Sequence, residues 1–187
     1  MSVPLSITQL TQRDAELQQQ LILWCNQNSG SDNFAGLAAM LGLLHTAFSR
    51  LPGARVERLP LPGTVAQALR VKVRPAAPVQ LLFSGHYDTV YGAADPFQQC
   101  TRLTPERLRG PGVIDMKGGL VVLLATLEAF ESTPHAAQIG YEVLVNPDEE
   151  IGSFGAAALF DDAAGRHRLG LVFEPARPSG DLVPSRK

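Results

Sequence analysis

Acidic residues and one histidine stand directly after three apolar segments of the sequence that are typical of β-strands. These residues are His86 and Asp88 after the segment 79–83, Glu149 and Glu150 after the segment 139–145, and Glu174 after the segment 169–173. In open α/β sheets ligands bind beyond the carboxyl ends of the strands, so these side chains are predicted to share one crevice. Imidazole nitrogen and carboxylate oxygen are ligands that zinc accepts.

A glycine-rich segment from Arg109 to Gly119 leads into a predicted helix and carries Asp115 at its centre. Glycine allows close backbone approach and unusual dihedral angles. A carboxylate that lies between two cations needs such freedom in the backbone around it. Asp115 is therefore a fourth candidate metal ligand, beside the histidine and the glutamates.

The spacing of these residues suits hydrolytic chemistry. His86 can bind a metal ion while Asp88, two residues later, accepts a hydrogen bond from the other ring nitrogen and fixes the tautomer. The adjacent Glu149 and Glu150 offer two carboxylates, one to bind metal and one to take a proton from a metal-activated water. Paired metal ions ~3.5–4 Å apart polarise a carbonyl group and generate hydroxide at neutral pH.

Each of these features has a simpler explanation when it is taken alone. A His-x-Asp pair is most often a polar pair on a surface, and two adjacent glutamates are most often a solvated charge pair. Acidic residues after strands also cap the helices that follow, and the segment 148–150 can do so for a helix near Phe154. The joint occurrence of the features, in order and after strands, favours the metal site.

Hydrophobic periodicity predicts alternating helices and strands in the second half of the chain, and therefore an α/β fold with helices on both faces of a sheet. Ser31 or Asp32 is the expected cap of the second helix. The segment 91–105 is predicted to be a polar loop. The predicted helices are 7–27, 33–49, 117–131 and 154–164, and the predicted strands are 55–59, 68–73, 79–83, 139–145 and 169–173.

Composition sets the class of protein. A chain of 187 residues with 45% apolar and 18% charged residues is long enough for one domain with a hydrophobic core. A net charge of −2 provides no basic field for nucleic acid or anionic lipid. Cys25 and Cys100 fit no zinc-finger or redox spacing. With no signal peptide and no long apolar run, we expect a cytoplasmic protein without a membrane partner.

Four segments of the sequence resemble the aminoacylase/carboxypeptidase G family of di-zinc metallopeptidases. They are Ser-Gly-His-Tyr-Asp-Thr-Val (84–90), Gly-Pro-Gly-Val-Ile-Asp-Met-Lys-Gly-Gly (110–119), Asn-Pro-Asp-Glu-Glu-Ile-Gly-Ser (146–153) and Phe-Glu-Pro-Ala (173–176). The chain looks most like the glutamate carboxypeptidase branch, with acetylornithine deacetylase and succinyl-diaminopimelate desuccinylase as relatives. The resemblance implies a three-layer α/β sandwich with a mixed, mainly parallel sheet.

The resemblance also implies a ligand set for two zinc ions. His86 and Glu174 match the ligands of one zinc, Glu150 matches a ligand of the other, and Asp115 matches the carboxylate that bridges both. Cobalt or manganese also suits ligands of these types.

The same resemblance implies catalytic roles. Glu149 matches the general base, and Asp88 matches the carboxylate that orients the metal-binding histidine. A cis peptide bond is expected at Asp115–Met116. The implied reaction is hydrolysis of an amide or peptide bond, of the carboxypeptidase or N-acyl-amino-acid deacylase type. A small peptide or an N-acyl amino acid is then the expected substrate.

Members of this family are much longer than 187 residues. We therefore expect residues 1–187 to be the N-terminal portion of a catalytic domain, without the lid and dimerisation domain, the C-terminal return segment and the last histidine ligand. His45 is interpreted as a structural or surface residue, and His135 and His167 are interpreted as exposed loop residues; none of the three is expected to replace it. We expect an exposed apolar patch or sheet edge that favours homo-oligomers.

Three hypotheses about the chain remain open at this point. The chain encodes an active hydrolase, or it is an inactive fragment that folds and binds metal only in part. In the third, it is a small complete hydrolase whose site is completed by self-association.

Overall fold

In the computed structural model, which describes residues 10–177, 179–181 and 183, a mixed sheet lies between two layers of helices. This arrangement confirms the predicted three-layer α/β sandwich. The helices are α1 (Asp14–Asn26), α2 (Phe34–Phe48), α3 (Lys117–Glu131) and α4 (Ala157–Ala164). The strands are β1 (Arg55–Pro60), β2 (Gln67–Val73), β3 (Val79–His86), β4 (Thr101–Thr104), β5 (Arg107–Arg109), β6 (Ile139–Asn146) and β7 (Leu169–Val172).

The described strands of the main sheet follow the order β1-β2-β6-β3-β7. Strand β3 pairs in parallel with both β6 and β7, whereas β2 pairs antiparallel with both β1 and β6. The sheet is mixed as predicted, but parallel pairings do not predominate among these strands. The short connection between β1 and β2 folds them as an antiparallel hairpin, and β2 also runs antiparallel to β6, so two of the four pairings are antiparallel.

Alternation along the strands divides the core between the two faces of the sheet. Val71, Phe83 and Val143 are buried in the large core that also contains the buried side chains of α2 and α3. Leu82 and Leu144 point to the other face, where they pack with α4. Because side chains alternate along a strand, one continuous apolar run supplies both layers.

Strand β3 is longer than the sequence predicted, and this difference positions the site. Its parallel pairing with β6 continues past Phe83, with Ser84 opposite Leu144 and His86 opposite Asn146. The ladder of backbone hydrogen bonds therefore holds His86 as the last residue of the strand, where the sequence suggested a loop.

The first two helices also differ in detail from the prediction. Helix α1 ends at Asn26, and the part of the predicted helix at 7–9 lies outside the described residues. The cap of α2 is Asn33, whose side chain accepts a hydrogen bond from the Gly36 amide at 3.0 Å. The prediction of Ser31 or Asp32 as the cap was wrong, because Ser31 bonds to another part of the chain.

The predicted loop at 91–105 ends in regular structure. Strands β4 and β5 pair as a two-stranded antiparallel hairpin that stands apart from the main sheet. Its strands are largely exposed, so they lack the apolar alternation that marks a half-buried strand in a sequence.

Strand β7 lies at one edge of the main sheet and is exposed along its whole length. Leu169, Leu171 and Val172 are each at least two-fifths exposed. This is the exposed apolar sheet edge that the sequence analysis expected. The association into homo-oligomers stays a prediction.

None of the helices in the described part of the chain has the length and hydrophobicity that crossing a bilayer requires. The cytoplasmic location stays a prediction.

Candidate metal centre

The site is built around His86, which is only 1% exposed. Its Nδ1 atom lies 3.1 Å from the Oδ1 atom of Asp88, and its Nε2 atom lies 3.0 Å from the Oδ1 atom of Asp115. Glu174, which follows β7, comes within 3.5 Å of the same Nε2 atom. The strand end thus presents one ring nitrogen to a buried carboxylate and the other to the candidate metal ligands.

Asp88 is fully buried and joins three segments of the chain. Its carboxylate accepts hydrogen bonds from the Glu149 amide at 3.2 Å, from the Glu150 amide at 3.1 Å and from the Ser31 hydroxyl at 2.8 Å. The position of the two glutamates is therefore tied to the carboxylate that faces the histidine. The sequence analysis missed Ser31, because a serine between two helices carries no signal for this contact.

Asp115 reaches the site from the glycine-rich segment before α3. The Asp115–Met116 peptide bond is cis, as the resemblance implied. Met116 is buried beneath the site, and its sulfur accepts a hydrogen bond from the His86 amide at 3.1 Å. The loop is thus fixed to the end of β3, while the Asp115 side chain, which contacts His86 Nε2, is 57% exposed.

Lys117 is a second residue that the sequence analysis missed. Its side chain is completely buried, and Nζ donates hydrogen bonds to the carbonyl oxygens of Trp24 at 3.1 Å and Gln27 at 2.8 Å. The lysine therefore binds the carboxyl end of α1 to the loop that carries Asp115. Burial lowers the pKa of Lys117 to about 8.

Asp148 supports the segment that carries the glutamates. Its Oδ2 atom accepts hydrogen bonds from the amides of Gly155 at 2.7 Å and Ala156 at 3.2 Å, just before α4. Its Oδ1 atom accepts a hydrogen bond from the Asn146 side chain. Asp148 thus fixes the segment before α4 but does not cap the helix, whose N-cap residue is Ala156. Glu149 and Glu150 face the site in a single turn of 3₁₀ helix.

Negative charge accumulates in this crevice and perturbs its titratable groups. Burial raises the pKa of Glu150, and the charge of Asp115 raises it further. Burial also raises the pKa of Glu174; the charge of His86 lowers it, and nearby carboxylates raise it. These carboxylates repel one another, so a cation among them would relieve the repulsion.

The negative charge in the crevice raises the pKa of His86. Burial lowers it, but the hydrogen bond to Asp88 and the charges of Asp88, Glu174 and Glu149 outweigh burial and raise it to about 9. The same carboxylates that favour positive charge on the imidazole would favour a metal cation beside it.

The geometry fits a metal ion. One ligand atom each from His86, Asp115 and Glu150 lies within 4.8 Å of the other two. Glu149 lies beside this group, with its carboxylate 3.8 Å from His86 Nε2 and half exposed. One imidazole nitrogen and several carboxylates suit zinc, cobalt or manganese. All six residues singled out in the sequence therefore meet at one place.

The other described histidines lie away from this group. His135 is exposed, as expected. The expectation of an exposed His167 was wrong: its side chain is 4% exposed and lies 3.5 Å from Glu142. Its Nδ1 atom also contacts the Ala163 carbonyl oxygen, so it caps the end of α4. A lone histidine between two arginines gave no sign of this burial.

Comparisons with known proteins agree with this geometry. The chain is 32% identical to carboxypeptidase G2 of Pseudomonas sp. (strain RS-16) over 151 residues, which are 80% of this chain and 36% of that protein. Human carnosine dipeptidase 1 shares the fold, with a TM-score of 0.76 at 17% identity, over 92% of this chain and 41% of that one. The M20 family metallo-carboxypeptidase Sso-CP2 of Sulfolobus solfataricus has a TM-score of 0.70 at 19% identity, over 88% and 39%.

The chain thus spans about two-fifths of the length of these relatives. The model of peptidase family M20/M25/M40 matches residues 82–185, which contain all six site residues. On these grounds the chain belongs to peptidase family M20/M25/M40.

Proposed function

We propose that this chain carries the catalytic centre of a metal-dependent hydrolase that cleaves an amide or peptide bond. The observation that carries the proposal is the convergence of His86, Asp115 and Glu150 on one point, in a chain of a peptidase family. His86, Asp115, Glu150 and Glu174 would hold zinc. When bound, zinc supplies Lewis-acid polarisation of the carbonyl group and lowers the pKa of a bound water.

The residues of the chain then have distinct tasks. Asp88 orients the imidazole of His86 through Nδ1 and leaves Nε2 facing the ligand group. Glu149 takes a proton from the attacking water and delivers it to the leaving amine. Its half-exposed carboxylate beside His86 suits this role, because a general base must reach both solvent and substrate.

We propose a small peptide or an N-acyl amino acid as the substrate. The peptidase family and the name of the carboxypeptidase G2 relative support cleavage of this type. It stays a prediction that these 187 residues form the N-terminal part of a catalytic domain.

The first test is the zinc content of the purified chain by elemental analysis, together with hydrolysis of a panel of dipeptides and N-acyl amino acids. We expect zinc binding, and hydrolysis that Glu149→Ala reduces by ~10²–10⁴-fold without loss of zinc. Glu106→Ala, an exposed change in the hairpin, is the matched control and should keep full activity.

The inactive-fragment alternative predicts a different pattern. Zinc uptake without hydrolysis of any substrate in the panel would favour the hypothesis that the chain is an inactive fragment that binds metal only in part. Absence of both zinc uptake and hydrolysis would refute the proposed centre for this chain. Full activity of the Glu149→Ala variant would show that another group is the base.

A further inference from the structure

A cavity of about 470 Å³ opens beside the metal centre. Asp115 and Glu150, two of the candidate metal ligands, form part of its wall. The hairpin of β4 and β5 contributes Leu103, Arg107 and Arg109 to the same wall. Cavities of this volume accept small organic ligands, so a substrate bound at the metal centre has room to extend along the hairpin.

Part of the cavity is hydrophobic although it is open to solvent. Val90, Leu103 and Ile114 are each more than half exposed, and all three line it. Tyr91 and Phe97 line it as well and pack edge to face, with ring centroids 4.9 Å apart. Exposed apolar side chains that converge in one place mark a binding surface for an apolar group.

Two cations accompany this apolar surface. Arg107 and Arg109 are two residues apart on β5, so their side chains leave the same face of the strand. Within the described residues, neither guanidinium forms an ion pair with a carboxylate. The guanidinium of Arg102, on the neighbouring strand, also has no carboxylate partner in the described part of the chain, but it donates hydrogen bonds to the Gln18 side chain and the Pro105 carbonyl oxygen.

Arg109 is also held in place. Its guanidinium carbon lies 5.0 Å from the centroid of the Phe97 ring, in a cation–π contact. A guanidinium group offers paired donors that match the two oxygens of a carboxylate. An arginine fixed at a cavity wall without an acidic partner is therefore prepared to bind an anionic group of a ligand.

We propose that this cavity is a subsite for an arm of the amide substrate that combines a hydrophobic portion with a carboxylate. Val90, Leu103 and Ile114 contact the hydrophobic portion, and Arg107 and Arg109 bind the carboxylate. The inference rests on the proposed function, because it places the amide to be cleaved at the neighbouring metal centre.

Calorimetric binding of two probes of equal shape tests the subsite. The probes are 4-phenylbutyrate and its neutral amide, 4-phenylbutanamide, titrated into the full chain with a chelator and again with excess zinc. We expect the acid to bind about tenfold more tightly than the amide, the difference expected for a charge-assisted hydrogen bond. In Arg107→Gln/Arg109→Gln the two probes should bind within about twofold of each other.

Single variants and a control complete the experiment. Arg107→Gln and Arg109→Gln should each lose part of the preference for the acid. Arg102 lies on the same hairpin but outside the cavity lining, so Arg102→Gln should keep the full preference for the acid. Equal binding of acid and amide, a preference that survives the double variant, an equal loss in Arg102→Gln, or no binding of the acid at millimolar concentration would each overturn the inference.

Failure of the subsite and failure of the proposed function give different results. If the chain neither binds zinc nor hydrolyses amides but still prefers the acid over the amide in an arginine-dependent way, the result supports an anion-binding site that has no link to catalysis. Zinc uptake and hydrolysis without that preference support the proposed function and overturn the subsite.

Discussion

The Nδ1 atom of His86 lies 3.1 Å from the Oδ1 atom of Asp88, and the same carboxylate accepts hydrogen bonds from the backbone amides of Glu149 and Glu150. One buried group therefore positions both the imidazole and the turn that carries the two glutamates.

Asp88→Asn should weaken zinc binding by about 10–100-fold, because the amide group of asparagine would place a donor against the donors that now surround the carboxylate. Competition with a zinc chelator measures the change. Asp161→Asn, an exposed change in α4, is the control. Unchanged affinity in Asp88→Asn would mean that the histidine is oriented by its packing alone.

Zinc binding should release roughly one proton from His86 at pH 7, because its pKa in the metal-free chain is raised to about 9. The proton competes with zinc for the imidazole, so the apparent affinity should rise as the pH increases from 7 towards 9. Calorimetry in two buffers with different ionisation enthalpies counts the protons released. A binding enthalpy that is independent of the buffer would contradict the prediction.

Glu174→Gln should raise the melting temperature of the metal-free chain at pH 7. The pKa of Glu174 is raised in the folded state, so its contribution to stability is present at acidic pH and is lost as the pH rises through that pKa. Glutamine carries no negative charge at pH 7, so the Glu174→Gln variant does not suffer this loss of stability. With zinc present the sign should reverse, because a candidate ligand is missing. Thermal unfolding with and without zinc measures both effects, and Glu106→Gln serves as the control.

Ser31→Ala should destabilise the chain by about 1.5–3 kcal/mol, since the buried Asp88 carboxylate loses a hydrogen bond of 2.8 Å. Ser49→Ala removes a hydroxyl that bonds to the His45 carbonyl oxygen at an exposed helix end, and it should cost much less. Urea unfolding of both variants compares the two losses. Equal losses would show that the bond to Asp88 is unimportant.

Gly119→Ala should destabilise the chain by about 1–3 kcal/mol, because the added methyl group would overlap the Phe173 carbonyl oxygen, next to Glu174. Gly42 lies in α2, where an added methyl group would meet only the end of the Arg58 side chain, at an ordinary contact distance of 3.9 Å, so Gly42→Ala should be neutral or stabilise by about 0.5–1 kcal/mol. Chemical unfolding measures both changes. A neutral Gly119→Ala would mean that α3 and the segment after β7 can separate at little cost.

Much of the fold follows from local patterns. The run of residues from Lys117 to Glu131 was predicted as a helix and is α3, and the alternating segment ending at Val73 is β2. Exposed elements lack such patterns. Strand β4 was therefore predicted as part of the loop 91–105, and β5 was not predicted as a strand, so the placement of Arg107 and Arg109 escaped the sequence analysis.

The sequence by itself determined the type and order of the site residues. His86, Asp115, Glu150 and Glu174 stand after strands or in a glycine-rich turn, and an open α/β sheet gathers such positions near the carboxyl ends of its strands. This information is local, because it depends only on residues within a few positions of each strand end.

Only the tertiary structure decided which groups support that site. Ser31 and Asp88 are 57 positions apart, and Lys117 bonds to a carbonyl group 90 positions away. The side chain of His167, between α4 and β7, likewise lies 3.5 Å from Glu142 on strand β6, 25 positions earlier in the chain. Periodicity and spacing report neighbours along the chain, whereas these contacts depend on how the packed core brings distant backbone segments together.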